Sequence, residues 1–220
     1  MTSVFGGMVS TDNQELADWL RNYQARRLTP SGAFDRLVRS LYLIGSLVAF
    51  SERVYRFTSW LQGAGLLRRF VSYYRPDSID FPKDAYKQIG PVESELGRRQ
   101  IEAYAGDIHR RREIAAIYAE SLASWTGFKV LEYGSGATYS HFVLRSARAD
   151  EIALHMKALG VELGRIVDYD VSSLPAYEAS PYFGDGLSRT FPSTILNLPI
   201  HRGVSSEVAS TVLKRLAAAE

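Results

Sequence analysis

The stretch Gly90-Pro-Val-Glu-Ser-Glu-Leu-Gly-Arg-Arg-Gln-Ile101, continuing through Arg110-Arg-Arg-Glu-Ile-Ala-Ala-Ile-Tyr118 to Leu122-Ala-Ser-Trp125, decides how the rest of the chain is read. Pro91 suits the first helical position, where its missing N–H costs nothing, and Glu93 and Glu95 set negative charge at the positive end of the helix dipole. Apolar or small residues recur at Gly97, Ile101, Tyr104, Ile108, Ala115, Tyr118, Leu122 and Trp125, while Arg98, Arg99, Glu102, Arg112, Glu113 and Glu120 take the opposite face. The pattern predicts one long helix, bent near Gly106. At about 1.5 Å per residue it is roughly 50 Å long, more than the width of a small domain, so it is expected to join two lobes.

Working outward, composition removes several chemistries. The 220 residues are 46% hydrophobic and 23% charged, enough for one large core or two small ones. With no cysteine, disulfides, zinc-thiolate sites, iron–sulfur clusters and a thiol nucleophile are excluded. His109, His141, His155 and His201 lack metal-ligand spacing. The net charge of +2 does not imply nucleic acid, although residues 35–75 carry seven arginines against Asp35 and Glu52. The start of the sequence lacks the pattern of a signal peptide, and no apolar run reaches the roughly 18 residues of a membrane span, so a cytoplasmic protein is expected.

Before the long helix, Gly6-Gly-Met-Val-Ser-Thr11 reads as a glycine turn and a short buried strand. Asp12 with Glu15 reads as a capping box for a helix that carries Leu16, Trp19, Leu20 and Tyr23 on one side. A strand and one helix are half of an α/β unit and cannot cover both of their surfaces, which predicts more structure upstream. Residues 34–71 alternate apolar side chains with arginine and predict two or three amphipathic helices broken at Gly63 and Gly65. Such helices pack on the protein or a second subunit, or lie on anionic lipid through residues 34–75; packing is the favoured reading. Residues 73–90, with Pro76 and Pro82, are expected to be an extended connection.

After the helix, Phe128-Lys-Val-Leu-Glu-Tyr-Gly-Ser-Gly136 resembles the first motif of a methyltransferase that binds S-adenosylmethionine. Only 84 residues follow Gly136, too few for that doubly wound sheet, so a tight turn between strands is the better expectation. His141–Arg145 predicts a strand. Asp150 is expected to cap a helix with Ile152, Met156 and Leu159 inward, and Gly160 to end it. Residues 161–168 predict a second strand, 172–190 a long substrate-contact loop, and 195–199 a strand stopped by Pro199. Ser205 is expected to cap a last helix bearing Val208, Val212, Leu213 and Leu216. The order describes a small α+β lobe with a three-stranded sheet and helices on one side.

In this order, the motifs resemble the C-terminal portion of the DegT/DnrJ family of pyridoxal-phosphate-dependent nucleotide-sugar aminotransferases. Gly6-Gly-Met-Val-Ser-Thr-Asp-Asn-Gln-Glu-Leu-Ala17 is similar to the family's stretch after its Schiff-base lysine, Glu95-Leu-Gly-Arg-Arg-Gln-Ile101 to its Ala-x-Gly-x-x-Gln-Leu helix, and Arg110-Arg-Arg-Glu-Ile-Ala-Ala-Ile-Tyr118 to the continuation of that helix. Ala158-Leu-Gly-Val-Glu-Leu-Gly164, Pro175-Ala-Tyr177 and Ile195-Leu-Asn-Leu-Pro-Ile-His201 resemble its terminal domain. The resemblance implies a partial fold-type I aminotransferase of α/β class. Residues 1–90 would be the end of the large domain with a helical insertion at about 30–75, residues 91–126 the connecting helix, and residues 127–220 the small α+β domain.

The resemblance also implies a homodimer, a nucleotide-linked keto-sugar and glutamate as substrates, and pyridoxal phosphate held through a lysine that forms a Schiff base and moves protons. Lys83, Lys87, Lys129, Lys157 and Lys214 all lie well downstream of that lysine's position. The chain alone is therefore expected to bind no cofactor and to offer no catalytic residue. Aligning on Gly97 and Gln100 sets Tyr86 and Gln88 where the family has the Asn and Arg of Gly-x-Asn-x-Arg, which help bind phosphate at the dimer interface; Lys87 is a substitute shifted by one residue. Two other readings stand beside this one: a degenerate, non-catalytic homologue that binds a protein or a membrane through the arginine-rich helices, and, more weakly, a methyltransferase.

Overall fold

A computed structural model describes residues 7–49, 51, 54, 57, 61, 85–167, 169–184 and 186–219. Most of the second half of the predicted helical segment, and residues 73–84 of the predicted connection, fall outside them. The chain divides into two compact units, Met1–Glu102 and Ala103–Glu220.

The first unit contains α1 (Gln14–Arg27) and α2 (Ala33–Ala49). α1 is capped by Asn13, whose side-chain oxygen accepts from the Leu16 N–H at 3.0 Å, one residue later than the expected Asp12. The predicted strand before it does not form. Met8 and Val9 are exposed, and no strand lies beside them among the described residues, so they have no ladder to join. Leu16, Trp19 and Tyr23 share a face as expected, but that face is exposed; Trp19 stacks on Tyr23 with ring centroids 5.3 Å apart.

α3 (Pro91–Leu122) is continuous over 32 residues, with Pro91 first. Its residues beyond 102 enter the second unit, which continues with β1 (Lys129–Val130), β2 (Phe142–Arg145), α4 (Ala149–Ala158), α5 (Leu187–Thr194), β3 (Ile195–Leu198) and α6 (Ser206–Ala217). The sheet order is β1-β2-β3, all antiparallel, with Val130 opposite Leu144 and Leu144 opposite Leu196. One pleat face presents Phe142, Leu144, Leu196 and Leu198 to a core completed by Ile114, Tyr118 and Leu122 of α3, Ile152 and Met156 of α4, and Val212, Leu213 and Leu216 of α6. Tyr118 is fully buried, packs on Phe142 at 5.2 Å and donates its hydroxyl to the Pro199 carbonyl at 2.8 Å.

The sheet has three strands, as expected, but the described residues of the predicted strand 161–168 are not one of them. Gly164 makes a single antiparallel bridge to Asn197, and the third strand is the two-residue β1 at the edge. The predicted tight turn is a longer connection, residues 131–141, with a turn closed by Ala137 N–H to the Gly134 carbonyl at 3.0 Å. Arg148, not Asp150, precedes α4, without a side-chain cap. Leu159 sits at its C-terminal end and is partly exposed, and Gly160 follows at φ +79°, the left-handed geometry that ends a helix. The 172–190 loop is more ordered than expected, holding two single-turn 3-10 helices and the start of α5. Ser205 caps α6 as predicted, accepting from Val208 N–H at 3.2 Å, but Val208 is exposed and Ala209 takes the inward position.

Candidate functional site

Tyr86, Lys87 and Gln88 lie together on an extended segment that pairs in parallel with Thr29. The Thr29 N–H donates to the Tyr86 carbonyl at 2.8 Å, and the Gln88 N–H donates to the Thr29 carbonyl at 2.9 Å. Ser31 and Arg39 both donate to the Gln88 carbonyl, at 2.5 and 3.3 Å. The segment is thus fixed by its backbone. Of the three side chains, Lys87 is the cationic one, and its ammonium meets Asp35 at 2.7 Å with about a third of each side chain exposed. The Lys87 hydrogen bond, aided by the Gly32 N–H, holds the Asp35 carboxyl below its usual range. An ammonium has three donors, so Lys87 can still offer hydrogen bonds to an anion, but Asp35 competes for its charge.

Beside this segment lies a pair that the sequence did not reveal. Glu93 is 2% exposed and Arg39 7% exposed, with Arg39 Nη1 3.6 Å from Glu93 Oε1. That distance is an ion pair, not a hydrogen bond, and Oε1 has no hydrogen-bond partner. The carboxylate folds back over Gly90, where an added Cβ would stand 2.5 Å from Glu93 Oε2, so a larger residue here would have to push the carboxylate aside. From sequence, Glu93 had only the look of a surface acid near a helix start. The signal that could have identified it is Gly90 three residues before, with space for a folded-back carboxylate.

In the second unit, the predicted 172–190 loop is clasped by polar contacts. The Tyr182 hydroxyl meets Ser188 Oγ at 3.0 Å and accepts from the Gly186 N–H at 3.2 Å, while the Arg189 guanidinium lies 4.1 Å above the Tyr182 ring. Asp170 accepts from the hydroxyls of Ser172 and Ser173, which lower its pKa, Ser172 most. Gly134 and Gly136 are followed by an antiparallel strand rather than a helix, and neither has a positive φ. The strand-to-helix turn of a dinucleotide-type fingerprint is not there.

A cofactor aldehyde needs a lysine in a shielded pocket. Among the described residues, Lys129 and Lys214 are exposed, Lys157 pairs with Glu162 at 3.7 Å, and Lys87 is held by Asp35. The two described clefts, about 330 Å³ beside Arg148, Glu151 and His155 and about 360 Å³ beside Trp19, Tyr23 and Arg26, contain no lysine. Neither of these two clefts thus offers a lysine that could hold a cofactor aldehyde. Groups of His, Asp and Glu able to hold a metal ion are likewise absent among them. No described helix is long and apolar enough to cross a membrane.

The small antiparallel sheet backed by the end of a long helix and two shorter ones has known relatives. A family model for the DegT/DnrJ/EryC1/StrS aminotransferases matches residues 88–217, more than half of the sequence, and the chain belongs to that family. Its fold is similar to that of DesV from S. venezuelae, solved in complex with a ketimine intermediate, at 22% identity and a TM-score of 0.56, covering 70% of this chain and 43% of that one. A DegT DnrJ EryC1 StrS aminotransferase from Brucella abortus matches at 18% identity and 0.55, with the same two coverages of 70% and 43%. DesI, solved with its TDP-sugar product, matches at 19% and 0.53, covering 62% of this chain and 38% of its own. Another neighbour, the putative sugar aminotransferase Spr1654 from Streptococcus pneumoniae, was solved in PLP and PMP forms, in keeping with a pyridoxal-phosphate-dependent family. At these identities the likeness establishes the fold, a partial fold-type I aminotransferase, and the chain spans less than half the length of these neighbours. No curated protein matches the sequence.

Proposed function

We propose that this chain supplies the C-terminal part of a sugar aminotransferase, one that passes an amino group from glutamate to a nucleotide-linked keto-sugar for surface-polysaccharide or natural-product assembly. Residues 1–90 would end the large domain, 91–126 form the connecting helix and 127–220 the small domain. The observation that carries the reading is the family match over 88–217, which spans α3 and nearly all of the second unit. Tyr86, Lys87 and Gln88 would then contribute phosphate contacts at a homodimer interface, with Lys87 released from Asp35 to meet the anion.

On this reading the chain alone does not transaminate. The test has two arms. The purified chain is incubated with pyridoxal phosphate, reduced with borohydride and mapped by mass spectrometry; labelling scattered over exposed lysines is expected, and stoichiometric labelling of one lysine with a Schiff-base absorbance band would overturn the claim of inactivity. The chain is also joined to the large domain of a family member and assayed with glutamate and a TDP-keto-sugar. Activity that is lost in Lys87→Ala supports the assignment of that residue, and activity unchanged by that substitution removes it.

A further inference from the structure

α2 meets residues 86–88 and the start of α3 through a set of charged side chains. Asp35 takes the Lys87 ammonium at 2.7 Å. Arg39, one turn further along α2, donates to the Gln88 carbonyl at 3.3 Å and pairs with Glu93 at 3.6 Å. Each of these two cations faces an acid, and Arg36 is the exception. It stands between Asp35 and Arg39 on the helix, its Cγ is 3.6 Å from where a Cβ on Gly90 would be, and it has no ion pair among the described residues. Lys87, Arg39 and Arg36 against Asp35 and Glu93 leave one positive charge among these side chains. The Arg36 guanidinium, exposed to water, carries it.

The placement selects the kind of anion. Gly90 is three residues beyond Lys87, at most about 10 Å along an extended chain. A small anion can therefore meet Lys87 at one end and Arg36 at the other. A monocarboxylate gains little here, because reaching Lys87 means displacing Asp35, one carboxylate for another. Asp35 is also fixed by the Gly32 N–H at 3.3 Å. A diphosphate has a second charged group, which Asp35 lacks, and the planar fork of a guanidinium matches two phosphate oxygens. The ammonium of Lys87 keeps donors beyond the one that Asp35 accepts.

We propose that Arg36 is an anion-binding residue that acts together with Lys87, and that the group they hold is a diphosphate. The inference rests on the reading of residues 86–88 as phosphate contacts. To it is added a residue from outside the 88–217 match, which brings the cation that Tyr86 and Gln88 lack.

The full chain is titrated with inorganic pyrophosphate in a calorimeter at physiological ionic strength, with circular dichroism to confirm that each variant is folded. Saturable binding is expected, weakened about tenfold or more by Arg36→Ala, the loss of hydrogen bonds between charged groups. Arg36→Lys, which keeps the charge and loses the fork, should weaken it less. Arg26→Ala removes an exposed arginine of α1 and should leave the affinity as it was. Sodium acetate should not displace pyrophosphate. The proposal is overturned if Arg36→Ala binds as wild type does, if Arg26→Ala weakens binding equally, which would mean diffuse attraction, or if acetate competes. Binding lost in Lys87→Ala and unchanged in Arg36→Ala removes this inference and leaves the reading of residues 86–88 standing. Absence of saturable binding also overturns it, and the large-domain chimera with its Lys87 variant then decides the reading by itself. TDP is run in parallel: affinity at least equal to that of pyrophosphate, and equally dependent on Arg36, assigns the diphosphate to a nucleotide, whereas exclusion of TDP assigns it to the free anion and counts against the reading.

Discussion

Along α3, residues 91–102 and 103–122 bury different things. The later stretch buries Ile114, Ala115, Tyr118 and Leu122 against the sheet, while the earlier one leaves Val92 and Ile101 exposed and buries the carboxylate of Glu93. The periodicity of apolar residues runs through both. What differs, among the described residues, is what stands opposite: the later stretch meets Phe142, Leu144 and Leu196, and the earlier one meets the polar ends of residues 31–39. Periodicity shows which residues can share a face, and only packing shows whether that face is used.

The largest effect should come from the later stretch. Tyr118→Ala removes an aromatic ring from the core and should cost about 3–5 kcal/mol, whereas Ile101→Ala on the earlier stretch should cost less than about 0.5 kcal/mol. Urea unfolding of the two variants measures both. Similar losses would break the comparison, since they would mean that Ile101 has a covering layer after all.

Glu93→Ala tests the earlier stretch from the other side. It removes the carboxylate from beside the buried Arg39 guanidinium, and breaking such a pair costs about 3 kcal/mol. Hydrogen exchange should show the amides of Thr29, Arg36 and Gln88 losing protection while those of β2 and β3 keep theirs. Loss of protection in both sets would make the pair a global rather than a local anchor.

The contrast also explains what could be read beforehand. The last helix with its Ser205 cap, the left-handed Gly160, the strands at 142–145 and 195–198 and the long helix were readable because each is specified by local residues and sits on one core. Residues 161–168 looked like a strand because Val161, Leu163, Ile166 and Val167 are good strand formers, yet only Gly164 comes alongside β3. Which segment completes a sheet depends on a partner far away in sequence. Of the candidate site, the adjacency of Tyr86, Lys87 and Gln88 was given by the chain itself. Their tether to Thr29 and Ser31, and the Lys87–Asp35 contact, join residues 52 to 59 positions apart, which no local pattern carries.

A smaller effect sharpens the account of Tyr118. Burial pushes its hydroxyl pKa up from 10 to about 12, so the folded state favours the neutral phenol. A group whose folded pKa is raised gives stability that is intact below its unfolded value and is lost as pH rises from about 10 toward about 12. Tyr118→Phe gives up the bond to Pro199, about 1 kcal/mol, and should flatten this alkaline loss in denaturant melts taken across the window. An unchanged alkaline slope would assign it to another tyrosine.

The smallest effect belongs to the exposed face of the earlier stretch, where Glu95 accepts from Arg98 at 2.8 Å and from Arg99 at 2.8 Å. Arg98 first and Arg99 second lower its carboxyl from 4.5 to about 2. A depressed pKa stabilises the folded form above the unfolded value and loses that contribution as pH falls from about 4.5 toward about 2. Because all these side chains are in water, long-range attraction among them is screened once the Debye length shrinks to about 3 Å near 1 M salt. Helicity of wild type and Glu95→Gln should therefore differ slightly at neutral pH in low salt, converge as acid protonates Glu95, and coincide in high salt at every pH. A difference that survives high salt would show that this face of residues 91–102 is covered by something that excludes water, and the two stretches of α3 would then differ in the chemistry of their partners rather than in having one.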